Sequence, residues 1–106
     1  MVYTIDEIQR RIKPVAEKYN IPTIYLFGSY ARGDAREDSD VDILIDRTGT
    51  HLQGLFAMGG LYEEFREAVG KNIDLITIAE LDDEEANRRN PVFAPEVYRE
   101  RKKIYG

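Results

Sequence analysis

The fold is decided by Thr23-Ile24-Tyr25-Leu26-Phe27-Gly28-Ser29-Tyr30-Ala31-Arg32-Gly33 and, after a polar loop, Asp40-Val41-Asp42-Ile43-Leu44-Ile45. Thr23 to Phe27 is a short β-prone run stopped by Gly28, whose missing side chain lets a ligand approach the backbone. Ser29 follows where a turn or short helix begins, with outward N–H groups that favour anions and a hydroxyl as a further donor. Arg32 lies one turn on, and Gly33 permits the chain to reverse.

Val41 to Ile45 reads as a second strand with two acids at its mouth. Side chains alternate along a strand, so Asp40 and Asp42 share a face, about 6.6 Å apart. At an effective dielectric of 20 two such charges repel by roughly 2–3 kcal/mol. A cation, an arginine or protonation must offset this, and Mg²⁺ suits because it takes oxygen ligands from one or two carboxylates plus phosphates. A third acid, Asp74, interrupts Ile73-Asp74-Leu75-Ile76-Thr77-Ile78, otherwise a core strand. A buried carboxylate needs a partner, and a neighbouring strand carrying Asp40, Asp42 and bound metal supplies one. Three carboxylates suit a two-metal site. Taken singly, these features have plainer readings: an ordinary turn, solvated strand-end acids, an edge-strand acid facing water.

Around this core, Thr4 with Glu7 forms a capping box. Ile5, Ile8, Ile12, Val15, Ala16 and Tyr19 then follow helical spacing until Asn20 and Pro22. Thr50 with Gln53 repeats the capping spacing ahead of a stripe of Leu52, Leu55, Phe56, Leu61, Tyr62, Phe65 and Val69, which Gly59-Gly60 interrupts. Leu81 to Arg89 reads as a short acidic helix, and Pro95 sits in the first turn of a last helix running toward Ile104. The order is αβ-β-αβ-α, an α/β (α+β) fold with a small mixed three-to-four-stranded sheet covered by helices. The stretch from Ser29 to Asp40 is too short for a crossover helix, so the first two strands are antiparallel. The expected organisation is a single domain over 1–106.

Composition bounds the rest. With 42% hydrophobic and 33% charged residues the chain is ordinary for a globular protein. No apolar run suits a membrane span, and the N-terminus does not read as a secretory signal. The absence of cysteine removes disulfides, thiolate metal sites and a cysteine nucleophile. The expected compartment is the cytoplasm. A net charge of −5 argues against direct nucleic-acid binding, although Arg88-Arg89 and Arg99, Arg101, Lys102 and Lys103 make the last quarter locally basic. His51 reads as exposed, Tyr19 and Tyr62 as core, and Tyr98 and Tyr105 as partner-facing. There is no Walker-type loop.

Gly28-Ser29, Gly33, Asp40-x-Asp42 and a later strand Asp74 resemble the nucleotidyltransferase superfamily that includes DNA polymerase β, and more narrowly the minimal nucleotidyltransferases, the MNT group. The resemblance implies a palm-like fold and ATP as donor with two Mg²⁺ ions. It implies that Gly28 and Ser29 bind the triphosphate, with Arg32 and Gly33 beside them. Asp40 and Asp42 would ligate both ions, and Asp74 the catalytic one while helping take the acceptor's proton. Larger members carry a second domain, so here a partner subunit is expected to complete the site. Minimal members pair with a helical HEPN ribonuclease toxin and act as its antitoxin by transferring AMP to a toxin tyrosine, as homodimers or hetero-oligomers. The competing expectations are a non-catalytic module that masks the toxin and a small-molecule nucleotidyltransferase.

Overall fold

Thr4 opens the first helix, α1 (Ile5–Lys18), its Oγ1 accepting from the Glu7 N–H at 3.1 Å. The helix closes in a Schellman arrangement: Ile21 N–H donates to Ala16 O and Asn20 N–H to Glu17 O, with Asn20 at φ 55°. In this computed structural model, which describes residues 1–106, β1 (Thr23–Phe27) leads into a one-turn helix, α2 (Gly28–Arg32). Strand β2 (Val41–Asp46) returns antiparallel to β1, as expected, pairing Thr23 with Asp46 and Phe27 with Asp42. Helix α3 (Gly54–Val69) then crosses over to β3 (Ile73–Thr77), which lies parallel to β2.

Three expectations need correction. Thr50 does not cap α3: its hydroxyl donates to Arg47 O at 2.6 Å and accepts from Leu52 N–H at 3.2 Å. It holds the preceding turn, a local alternative open to Thr, and α3 starts at Gly54 and runs on through Gly59-Gly60. The acidic segment after β3 is two helices, α4 (Ile78–Leu81) and α5 (Glu84–Arg89), because Thr77 caps one and Asp83 the other. The last helix, α6 (Phe93–Glu100), stops short of Ile104, and Lys102–Tyr105 forms a further strand, β4, antiparallel to β1. The sheet is therefore four-stranded and mixed, in the order β3-β2-β1-β4. Ile104 points into the core while Lys102 and Lys103 are exposed on this outer strand, the charged edge that discourages pairing with another chain.

The two faces of the sheet are covered unequally. On one, α1 and α3 bring Ile8, Ile12, Leu61 and Phe65 against Ile24, Leu26, Ile43 and Ile45 in a cluster of 18 buried residues. On the other, only Phe27, Leu44, Leu81, Ala94 and Val97 are buried together, beneath α4 and α6. Because β1 and β2 are antiparallel, the C-terminal end of β1 and the N-terminal ends of β2 and β3 meet at one rim. Asp42 and Leu44 share the thinly covered face. Tyr19, Tyr62 and Tyr105 are half-buried against the large core. Tyr98 is exposed with its hydroxyl on Asp82, and His51 is exposed. No helix is long and apolar enough to cross a membrane.

Candidate active site

At this rim the chain leaves β1 through Gly28 with φ +69°, a conformation L side chains rarely adopt. A Cβ there would lie 1.9 Å from Asp42 Oδ2, so contact as well as torsion requires glycine. Gly33 ends α2 at φ +88°, its N–H donating to Ser29 O at 2.9 Å. Nothing lies within 4 Å of a Cβ on Gly33, so only its backbone conformation calls for glycine. It turns the chain back toward β2 and is not part of the cleft wall.

Across β2 and β3, Asp42 and Asp74 stand directly opposite one another in register. Together with Asp40, Gly28, Ser29 and Arg32 they line one open cleft of about 440 Å³. The structure thus brings together six of the seven positions singled out by sequence. Burial is distributed differently from the expectation. Asp74 is exposed, because β3 is an outer strand; Asp42, one strand further in, is the half-buried acid. Desolvation, then the charges of Asp74 and Asp40, push the Asp42 carboxyl up from 3.8 to about 6, and Arg32 only partly opposes them.

Two further acids, Glu96 and Glu100, enter the cleft from α6, and Phe93 closes its side. Sequence reading missed all three, although their i, i+3, i+7 spacing marks one helix face. Glu100 accepts from the Gly28 N–H at 2.9 Å and from Arg32 Nη1 at 3.2 Å, while Arg32 Nε meets Asp34 Oδ2 at 3.3 Å. Phe93 stacks edge-on against Phe27, with centroids 6.2 Å apart. It also borders a neighbouring apolar cavity of about 270 Å³ lined by Ile76, Leu81 and Ala94.

Five carboxylates therefore share a cleft with a single cationic side chain, Arg32, and that one is already paired. The mutual repulsion felt by Asp42 and the all-oxygen donor set fit a hard divalent cation. The acids do not close into a ready-made cage of three. Such an open arrangement leaves coordination positions for water and phosphate oxygens, as Mg²⁺ prefers.

Comparison with known proteins gives a consistent result. The model of the polymerase beta nucleotidyltransferase family matches residues 10–106. A candidate protein adenylyltransferase from Methanocaldococcus jannaschii is 39% identical over 74 residues, covering 69% of this chain and 76% of the relative. The protein adenylyltransferase MntA of Thermococcus cleftensis is 36% identical over 77 residues, 69% of this chain and 76% of its own. Among solved structures, a toxin–antitoxin complex with AMP-PNP superposes with a TM-score of 0.69 at 22% identity, over 92% of this chain and 73% of the other. The MNT antitoxin bound to a tri-AMPylated HEPN toxin from Shewanella oneidensis gives 0.63 at 22% identity, over 97% and 73%. At these identities the structural likeness carries the fold.

Proposed function

This chain belongs to the polymerase beta nucleotidyltransferase family, and we propose that it is a metal-dependent protein adenylyltransferase that transfers AMP from ATP to a tyrosine of a helical HEPN toxin, as its antitoxin. The observation that carries the reading is the cleft in which Asp42 and Asp74 oppose each other beside Gly28 and Ser29. The name of the Thermococcus relative supports the activity. The Shewanella complex supports the partner.

In this reading the Gly28 N–H and the Ser29 hydroxyl hold phosphate oxygens, and Arg32 lies at their side. Gly33 contributes the turn that sets Ser29, not a ligand contact. Asp40, Asp42 and Asp74 hold two Mg²⁺ ions, with Asp74 on the acceptor side, where its exposure leaves it open to an incoming hydroxyl. When bound, such ions supply charge neutralisation at the phosphates and acidify the attacking hydroxyl. The tyrosine oxygen attacks the α-phosphorus, the bond to the bridging oxygen breaks and pyrophosphate leaves. The phenol proton passes to the Asp74 carboxylate. No tyrosine lines the cleft, and in this reading the partner subunit supplies the acceptor in a hetero-oligomer. The same reading sets the reaction in the cytoplasm, where ATP is available.

The test is incubation of the chain with labelled ATP, Mg²⁺ and a HEPN-type helical protein. A covalent nucleotide adduct on a toxin tyrosine is expected, lost in the Asp40→Asn, Asp42→Asn double variant. No adduct with any of the four nucleotides, under conditions where the two proteins bind, would refute the enzymatic reading. Toxin binding that survives the double change while the adduct disappears separates catalysis from masking.

A further inference from the structure

We propose that Glu100 is a tethered competitor for the nucleotide: its carboxylate occupies the phosphate donors in the free protein and has to leave before a triphosphate can bind. The inference rests on the nucleotide reading above and goes beyond it by assigning a residue that limits affinity.

The Gly28 N–H has one hydrogen, and it is spent on Glu100 Oε1 at 2.9 Å. Arg32 Nη1 lies 3.2 Å from Oε2 and 3.4 Å from Oε1 of the same carboxylate. A phosphate oxygen can take the Gly28 donor only if the glutamate gives it up. The Glu100 side chain is 18% exposed, whereas Arg32 is 48% exposed, so the acid is lodged in the cleft and not lying across its mouth. Ala94 and Val97 anchor α6 beneath the sheet, which keeps the carboxylate close to its donors at an effective concentration of about millimolar or above.

Charge argues against Glu100 as a permanent strut. It is one of five acids around a single arginine, and it adds to the repulsion on Asp42. With a triphosphate on the same donors it would be a negative group beside a polyanion. Displaced toward the exposed side of α6, it leaves Gly28 and Arg32 to the phosphates. A donor set that is free only one-tenth of the time lowers apparent affinity about tenfold.

The experiment is calorimetric titration of the full chain with a non-hydrolysable ATP analogue and Mg²⁺, using wild type, Glu100→Gln and Glu100→Ala, with thermal melts to confirm folding. The expected result is about tenfold tighter binding in both variants. Wild-type binding with unchanged or weaker affinity in the variants would make Glu100 a strut and overturn the proposal, leaving the nucleotide reading intact. Absence of binding in all three proteins would overturn both.

Discussion

Gly28 and Asp42 approach so closely that the glycine's missing Cβ is replaced by a carboxylate oxygen, with 1.9 Å between Asp42 Oδ2 and where the carbon would stand. The turn after β1 and the first acid-bearing residue within β2 are therefore one packed unit, not two neighbouring features. Gly28→Ala must both hold an L residue at φ +69° and push Asp42 aside. The torsion alone costs about 1–2 kcal/mol. The variant should melt lower by several degrees and lose Mg²⁺ affinity, measured by calorimetry. Gly33→Ala has open space around it, so it should show only the torsional part in the melt and leave metal binding largely unchanged.

Asp42 makes the metal-free protein sensitive to pH. Its folded-state pKa of about 6 lies above its ordinary 3.8, because burial and the neighbouring charges of Asp74 and Asp40 disfavour ionisation. The folded state thus holds a proton that the unfolded chain has released. This contribution to stability is fully present below about pH 4, falls as pH rises, and is gone above about pH 6. Discounted for the solvent in an open cleft, it is on the order of 1–2 kcal/mol. Asp42→Asn should remove this slope and melt higher than wild type at pH 7–8 in EDTA, with the two converging near pH 4. A variant that melts lower across the whole range would show that Asp42 is stabilising where it stands.

The strands bearing the motif were legible because their apolar runs are short and are stopped by Gly28 and by Arg47-Thr48-Gly49. The site acids were legible because period-two spacing puts Asp40 and Asp42 on one face. Reading failed where two local options compete. Thr50 can cap a helix or hold a turn, and only the packing around Leu52 decides. Asp74 reads either as a buried core-strand acid or as an edge-strand acid facing water, and only strand order, a non-local property, decides for the second. Glu100 is invisible for a similar reason: its partners Gly28 and Arg32 lie 72 and 68 residues away in the chain.

The place of the fourth strand was the largest miss. Lys102-Lys103-Ile104-Tyr105 continues the charged pattern of α6, and nothing local forbids a helix. Its strand conformation comes from pairing with β1 and from a single buried side chain. Ile104 is 2% exposed, and Gln9 Nε2 donates to its carbonyl at 2.9 Å. Ile104→Ala should cost about 2–5 kcal/mol in chemical denaturation, whereas Lys102→Ala on the exposed side should stay within about 0.5 kcal/mol. Equal and small effects would mean that 102–105 is not packed as a strand.

Lys71 fixes the loop that delivers Asp40. Its Nζ donates to Glu37 O at 2.8 Å and to Tyr30 Oη at 3.0 Å, tying the middle of the 33–40 loop to α2. It also lies 5.8 Å from the Tyr3 ring centre and 5.6 Å from that of Tyr30. The Met1 amino group on the exposed Glu37 side chain, the turn in which Arg36 and Ser39 bond each other, the Asp34 N–H on Ser29 O, the Arg32–Asp34 pair and the packing of Ala35 against the core also hold this segment, but none of them ties its middle to α2 as Lys71 does. Lys71→Met keeps the stem and removes the donors. Loss of charge-assisted hydrogen bonds at a partly exposed site should cost about 1–2 kcal/mol, and the freed loop should let Asp40 wander from Asp42. The expected signature is faster amide exchange confined to residues 34–40 and Mg²⁺ binding weakened several-fold, with β2 and α3 protection unchanged. Lys71→Arg, which restores charge and donors, should recover part of both. Unchanged exchange in the loop, with metal affinity intact, would show that Ser39 and the β2 pairing hold Asp40 without the lysine.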